Sequence, residues 1–152
     1  MKVDIYPKII ALKMIASGFP SNTAVVSFYT PINNDDRNKV DYSGVCTDVF
    51  YVAAPDIGLE SLEDYGYTPD TFFAEVDALA EFIYEAKEKG YDIICQCEFG
   101  RSRSAACAAA IMEYFEKRGN DVFSNDKYNP NQLIYQKVLG ALSKKDRKNN
   151  QG

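Results

Sequence analysis

At 152 residues, with 46% hydrophobic and 26% charged side chains, the chain has the make-up of one globular domain with its own core, neither collagenous, low-complexity nor disulfide-rich. Its net charge of −5 conceals a basic end: Lys144 to Gly152 carries +3, leaving −8 on the rest, a balance that argues against nucleic acid or an anionic membrane as partner. Histidine is absent, which excludes Ser-His-Asp and Cys-His hydrolases and argues against a catalytic metal such as zinc.

No apolar stretch approaches the roughly 18 residues that a membrane span needs. Lys2, Asp4, Lys8 and Lys13 interrupt the apolar residues of the N-terminus, so a signal peptide is not expected and a cytoplasmic location is the default. Cys46, Cys95, Cys97 and Cys107 match neither a zinc-ligand spacing nor a secreted disulfide framework.

Taken in order, Lys2–Tyr6 alternates as a short strand, and Pro7–Ala16 has helical character ending before Gly18 and Pro20. Ala24–Tyr29, rich in β-branched and aromatic residues, predicts a buried strand. Asn33, Asn34, Asp35 and Asp36 mark an exposed loop, and Thr47–Ala53 predicts another strand stopped by Pro55. Thr68 as cap and Pro69 as first helical residue open a helix whose stripe is Phe72, Val76, Leu79, Ile83 and Ala86, closed by Gly90. Ile93–Cys95 suits a central strand. Ser104–Lys117, Ala-rich and apolar nearly all round, suits a buried helix. Asn129-Pro130 caps a last helix to about Leu142, and residues 144–152 read as a solvated, disordered polar tail. Alternating strands and helices predict a single α/β domain over residues 1–143, with a mostly parallel sheet.

Chemistry concentrates between the strand at 93 and the helix at 104. Binding a phosphate monoester, a dianion, needs several N–H donors converging on three oxygens, and a strand-to-helix loop at a helix N-terminus supplies them. The backbone of Glu98, Phe99, Gly100, Arg101, Ser102 and Arg103 forms such a loop, with Gly100 permitting the tight turn. Arg103 can fork two donors onto two phosphate oxygens. The same donors suit Cys97 as a thiolate nucleophile, and the Ser104 hydroxyl can hydrogen-bond its sulfur on departure. A second register, Cys95-x5-Arg101, satisfies the bare spacing but starts inside the apolar strand and puts Gly100 two positions late, so Cys97 is preferred. Cys46 and Cys107 read as structural. Cys95 reads as structural first, with a lesser role as disulfide partner of Cys97 under oxidation.

The run Cys97-x-x-Gly100-x-x-Arg103-Ser104 resembles the signature loop of the protein tyrosine and dual-specificity phosphatase superfamily. The order of elements over residues 47–142 is similar too, including Pro130-Asn131 and the helix after it. The resemblance implies a phosphatase-like central sheet of four to five strands flanked by helices, a phosphocysteine intermediate and no cofactor. It also implies an upstream Asp as general acid. Asp56, which most directly follows the strand, is the choice at 41 residues before Cys97, and Asp64 at 33 is the alternative. Asp70 reads as a first-turn helix residue. Where the superfamily usually has His before the nucleophile, this chain has Gln96, which would hold the loop through backbone hydrogen bonds.

The expected substrate is a phosphorylated protein, phosphotyrosine first, with phosphoserine, phosphothreonine and small phosphate esters open. Tyr65, Tyr67 and Phe99 are candidates to stack on a substrate ring, although packing in the core is their commoner role. The acidic body disfavours phosphoinositides and RNA. Two alternatives stand: a pseudophosphatase that binds phospho-ligands without turnover, and a rhodanese-like sulfur transferase.

Overall fold

The computed structural model describes residues 1–33, 35–45 and 48–151, with side chains described as far as Asp146. Asn34, Cys46, Thr47 and Gly152, named above, lie outside it. Four strands, β1 (Val3–Pro7), β2 (Thr23–Tyr29), β3 (Asp48–Ala53) and β4 (Asp92–Cys97), form one parallel sheet in the order β1-β4-β2-β3. The helices are α1 (Lys8–Ser17), α2 (Val76–Glu88), α3 (Arg103–Glu116), the single turn α4 (Asn120–Phe123) and α5 (Gln132–Gln151).

A parallel sheet covered on both faces needs strands that are apolar on both sides, which accounts for the unbroken burial of Thr23–Phe28. Strand alternation then sorts the side chains. Ala24, Val26 and Phe28 of β2 and Ile93, Cys95 and Cys97 of β4 face the main core with α2, α3 and α5. Val25 and Ile94 face the opposite layer, made by Ala11 of α1 with Val40 and Tyr42. Helix α3 is buried from Arg103 through Ile111, as its Ala-rich sequence requires.

Three expected boundaries move. Thr68 does cap a turn, its Oγ1 accepting from the Thr71 N–H at 3.2 Å, but Phe73 adopts φ of 53° and the helix proper starts at Val76. Phe72 and Phe73 are consecutive and both buried, Phe73 edge-on to Phe28 at 6.0 Å and Phe72 against Tyr67 at 5.4 Å. Burying each ring gains about 1.5–3 kcal/mol. A non-glycine residue at positive φ costs about 1–3 kcal/mol, so two rings outweigh one strained residue. The last helix is capped by Asn131, not Asn129: the Asn131 Oδ1 accepts from the Ile134 N–H at 3.0 Å. Beyond Leu142, α5 continues as helix, and Lys144 and Lys145 reach Asp77 and Glu81 of α2 at 3.1 and 3.8 Å. Among the described residues no helix is long and apolar enough to cross a membrane.

Leu79 and Ile83 of α2 are fully buried in the main core. Truncating Leu79→Ala is expected to cost about 2–5 kcal/mol through lost burial and the cavity left behind, read as a lowered midpoint in urea unfolding.

Candidate active site

The carboxyl ends of three adjacent strands deliver the site, where ligands gather in open parallel sheets. Cys97 ends β4, Thr30 follows β2, and Ala54 follows β3. Arg103, at the first turn of α3, ties the last two together. Its Nη1 donates to the Thr30 Oγ1 at 2.8 Å and to the Ala54 carbonyl at 2.7 Å. The guanidinium is buried, and among the described residues no carboxylate pairs with it. A buried cation held only by neutral acceptors lacks its counter-charge, a costly state that an incoming anion relieves.

The Cys97 thiol is buried, and its Sγ lies 3.0 Å from the Ser104 Oγ. Between them runs the loop 98–102. Gly100 takes φ of 63°, and a Cβ there would sit 2.6 Å from the Pro7 nitrogen, so only glycine lets the loop lie against the end of β1. The Lys8 N–H donates to the Glu98 carbonyl at 3.1 Å, fixing the loop to the start of α1. The other end is held by the α4–α5 connection: Asn129 N–H to the Arg101 carbonyl at 2.9 Å, Asn131 N–H to the Ser102 carbonyl at 3.1 Å.

Asp56 reaches this loop. Its Oδ1 accepts from the Ser102 Oγ at 2.8 Å and from the Asn131 Nδ2 at 2.9 Å, and the same amide donates to the Ile57 carbonyl. Asp64 lies in a short exposed turn, Glu63–Tyr65, with no hydrogen bond to the loop. A second turn, Leu59–Ser61, precedes it, so the segment that lengthens the Asp56 to Cys97 spacing folds as two 3-10 turns with Ile57 and Leu62 buried beneath.

A cavity of about 360 Å³ opens beside the loop, lined by Lys8, Phe28, Tyr29, Thr30, Asn38, Gln96, Glu98, Phe99 and Arg103. Of the three aromatic residues singled out from sequence, Phe99 lines it and is 81% exposed. Tyr65 is exposed but does not line it, and Tyr67 packs on Phe72. The Arg101 side chain points to a different cavity, beyond Phe99.

Gln96 is buried on the face of β4 opposite Cys97, and its anchor differs from the expected backbone bonds. Its Oε1 accepts from the Ser27 Oγ at 2.6 Å and the Tyr42 hydroxyl at 2.7 Å, both side chains. Ser27 was legible as the one polar residue within the apolar run of β2. Tyr42, in a polar loop, carried no such signal, and neither did Thr30 or Ala54. Cys95 sits two residues before Cys97, fully buried against Cys107. Hydrogen bonding to Cys107, and then burial, hold its thiol well above the ordinary range, so it stays protonated.

Four-stranded parallel order, the strand–loop–helix carrying Cys97 and Arg103, and the Asp56 contact to that loop can be set against known structures. This is the fold of the protein tyrosine and dual-specificity phosphatases. The chain superposes on human DUSP28 with a TM-score of 0.56 at 12% identity, covering 96% of this chain and 94% of that one. It superposes on the active form of Tk-PTP with a TM-score of 0.55 at 17% identity (93% and 90%). Human tyrosine phosphatase-like serine/threonine/tyrosine-interacting protein gives 0.55 at 19% identity (97% and 92%). No family model matches the chain, and no curated protein matches it in sequence.

Two expectations follow. Gly100→Ala is expected to destabilise the protein by about 1–3 kcal/mol, the usual cost of positive φ, with the Pro7 contact adding to it, as urea unfolding would register. Burial keeps Tyr42 protonated above its ordinary 10.0. The folded chain then holds a proton that the unfolded chain releases, so this contribution is complete below pH 10 and is lost as pH rises further. Urea midpoints compared at pH 8 and about pH 11 should fall, and fall less in Tyr42→Phe.

Proposed function

We propose that the protein is a cysteine-dependent phosphatase that hydrolyses phosphate monoesters of proteins, phosphotyrosine first among them, through a phosphocysteine. The observation that most supports this reading is the buried Arg103 guanidinium, without a carboxylate partner among the described residues, one loop away from a buried thiol. A phosphate bound there gives the cation its counter-charge.

In the first step the Cys97 thiolate attacks phosphorus, the S–P bond forms and the ester P–O bond breaks, while Asp56 gives its proton to the leaving oxygen. In the second, Asp56 takes a proton from water, whose oxygen bonds to phosphorus as the S–P bond breaks. Phosphate leaves and the thiolate returns. The amides of residues 98–103 and the Arg103 guanidinium carry the charge of the equatorial oxygens, and the Ser104 hydroxyl, 3.0 Å from the sulfur, donates to it as it departs. Ser102 and Asn131 position Asp56 from the side of Oδ1, leaving Oδ2 for the proton. This cycle needs no cofactor or metal. A neighbour, PTPMT1, is described in complex with PI(5)P (TM-score 0.51, 11% identity). The net charge of −5 and Glu98 in the cavity favour a protein phosphoester over an anionic lipid here.

A phospho-ligand binding module without turnover is the second reading, favoured by Gln96 in place of the usual histidine and by the likeness to a phosphatase-like interacting protein. Hydrolysis of p-nitrophenyl phosphate by reduced protein without added metal separates the two. Expected are vanadate-sensitive turnover, its loss in Cys97→Ser, its retention in Cys95→Ser, and a kcat lowered about 10²- to 10⁴-fold in Asp56→Asn. Folded wild type that binds a phosphopeptide without hydrolysing it would overturn the enzymatic reading.

A further inference from the structure

A second cavity, of about 390 Å³, lies on the far side of Phe99 from the phosphate cavity. Its floor is apolar, from Ile5, Tyr6, Pro7 and Ile10, and its rim carries Arg101 and Lys127. It exists because the loop lies directly on the end of β1 at Gly100, which brings the apolar β1–α1 junction up to the signature loop. Phe99 lines both cavities and, at 81% exposure, is the most exposed large apolar side chain described.

Backbone bonds bring together the two segments that carry these cations. The Lys127 N–H donates to the Asn125 Oδ1 at 3.0 Å, closing a turn. Two residues on, Asn129 N–H donates to the Arg101 carbonyl at 2.9 Å. Six cations, Lys2, Arg37, Lys89, Arg118, Lys144 and Lys145, form ion pairs with carboxylates, and others such as Lys8 and Lys13 form none among the described residues. Arg101 and Lys127 form none among the described residues, and Lys127 touches only the Tyr128 ring, 5.7 Å from its centroid. The acid of the loop itself, Glu98, lines the other cavity, and Asp126, exposed beside Lys127 in the chain, does not line this one.

We infer that this second cavity is a subsite for the peptide flanking the phosphorylated residue, taking an apolar side chain on its floor and a carboxylate at Arg101 and Lys127. The inference rests on the phosphatase reading and narrows its substrate to phosphoprotein segments with apolar and acidic neighbours. Phe99 is the ridge over which the chain would cross, its exposed ring covered on both sides by substrate. An apolar contact plus two cations meets such a segment in both chemistries, whereas a basic segment meets like charge. A small phosphate ester reaches only the first cavity and gains nothing from the second.

The test compares two phosphotyrosine peptides, one flanked on both sides by Leu and Glu, the other by Ser and Lys, with p-nitrophenyl phosphate as the third substrate. Expected is a kcat/KM for the Leu/Glu peptide about tenfold or more above the Ser/Lys peptide, shrinking as salt rises. Lys127→Glu should collapse that ratio toward one and leave p-nitrophenyl phosphate turnover unchanged. Ile10→Ser should lower the Leu/Glu peptide alone. Equal rates for the two peptides, or a ratio that survives Lys127→Glu, would overturn the subsite while the phosphatase reading stood. The same two peptides, fluorescently labelled, are also titrated by anisotropy. Preferential binding of the Leu/Glu peptide, lost in Lys127→Glu, supports the subsite even where no substrate turns over, and then only the enzymatic reading falls. Indifferent binding overturns it.

Discussion

A guanidinium buried with no carboxylate partner among the described residues is the constraint around which this end of the molecule is arranged. Arg103 sits in the first turn of a helix buried along its first nine residues, and its charge is largely withdrawn from bulk water. The Thr30 hydroxyl and the Ala54 carbonyl satisfy part of its donor set and fix its plane, and both come from the residues just past strand ends. Neutral acceptors orient the group without neutralising it. The result is a cation held at the edge of a cavity, its donor set only partly used and available to an anion.

The sheet sets everything else by alternation. With β4 between β1 and β2, its odd-numbered residues Ile93, Cys95 and Cys97 face α3, and Ile94 and Gln96 face the layer of α1. That alternation separates two jobs performed by consecutive residues. Cys97 meets Ser104 on one face, and Gln96 is clamped by Ser27 and Tyr42 on the other. The clamp anchors the end of the strand before the loop through the Gln96 carboxamide, so the loop is held from below by two hydroxyls from different segments. Alternation also explains why Cys95 shares the face of Cys97 without sharing its place: it lies deeper, against Cys107, away from the strand end.

The loop itself is fixed at both ends by backbone bonds, to Lys8 on one side and to Asn129 and Asn131 on the other. Asn131 does four things at once, capping α5, holding the Ser102 carbonyl and donating from its amide to Asp56 and to the Ile57 carbonyl. Distant segments thereby converge on eight residues, and the second cavity is a by-product of the same close approach at Gly100.

By itself the sequence determined the parallel α/β class and the strand–loop–helix around Cys97 and Arg103, because those follow from local periodicity and from spacing within one short segment. The described β2, β3 and α3 begin or end within a residue or two of where apolar runs and turn residues put them. Where local signals failed, long-range packing had overruled them: the Thr68 cap starts a turn that the paired burial of Phe72 and Phe73 breaks, and Asn129-Pro130 serves the loop while Asn131 caps the helix. The partners of Arg103, the hydroxyls on Gln96, the contact of Asp56 with Ser102 and Asn131, and the placing of Arg101 and Lys127 on one cavity only the tertiary structure decided. Each joins segments far apart in the chain, and such contacts leave no periodic trace, since they depend on where the sheet's twist and order bring strand ends together.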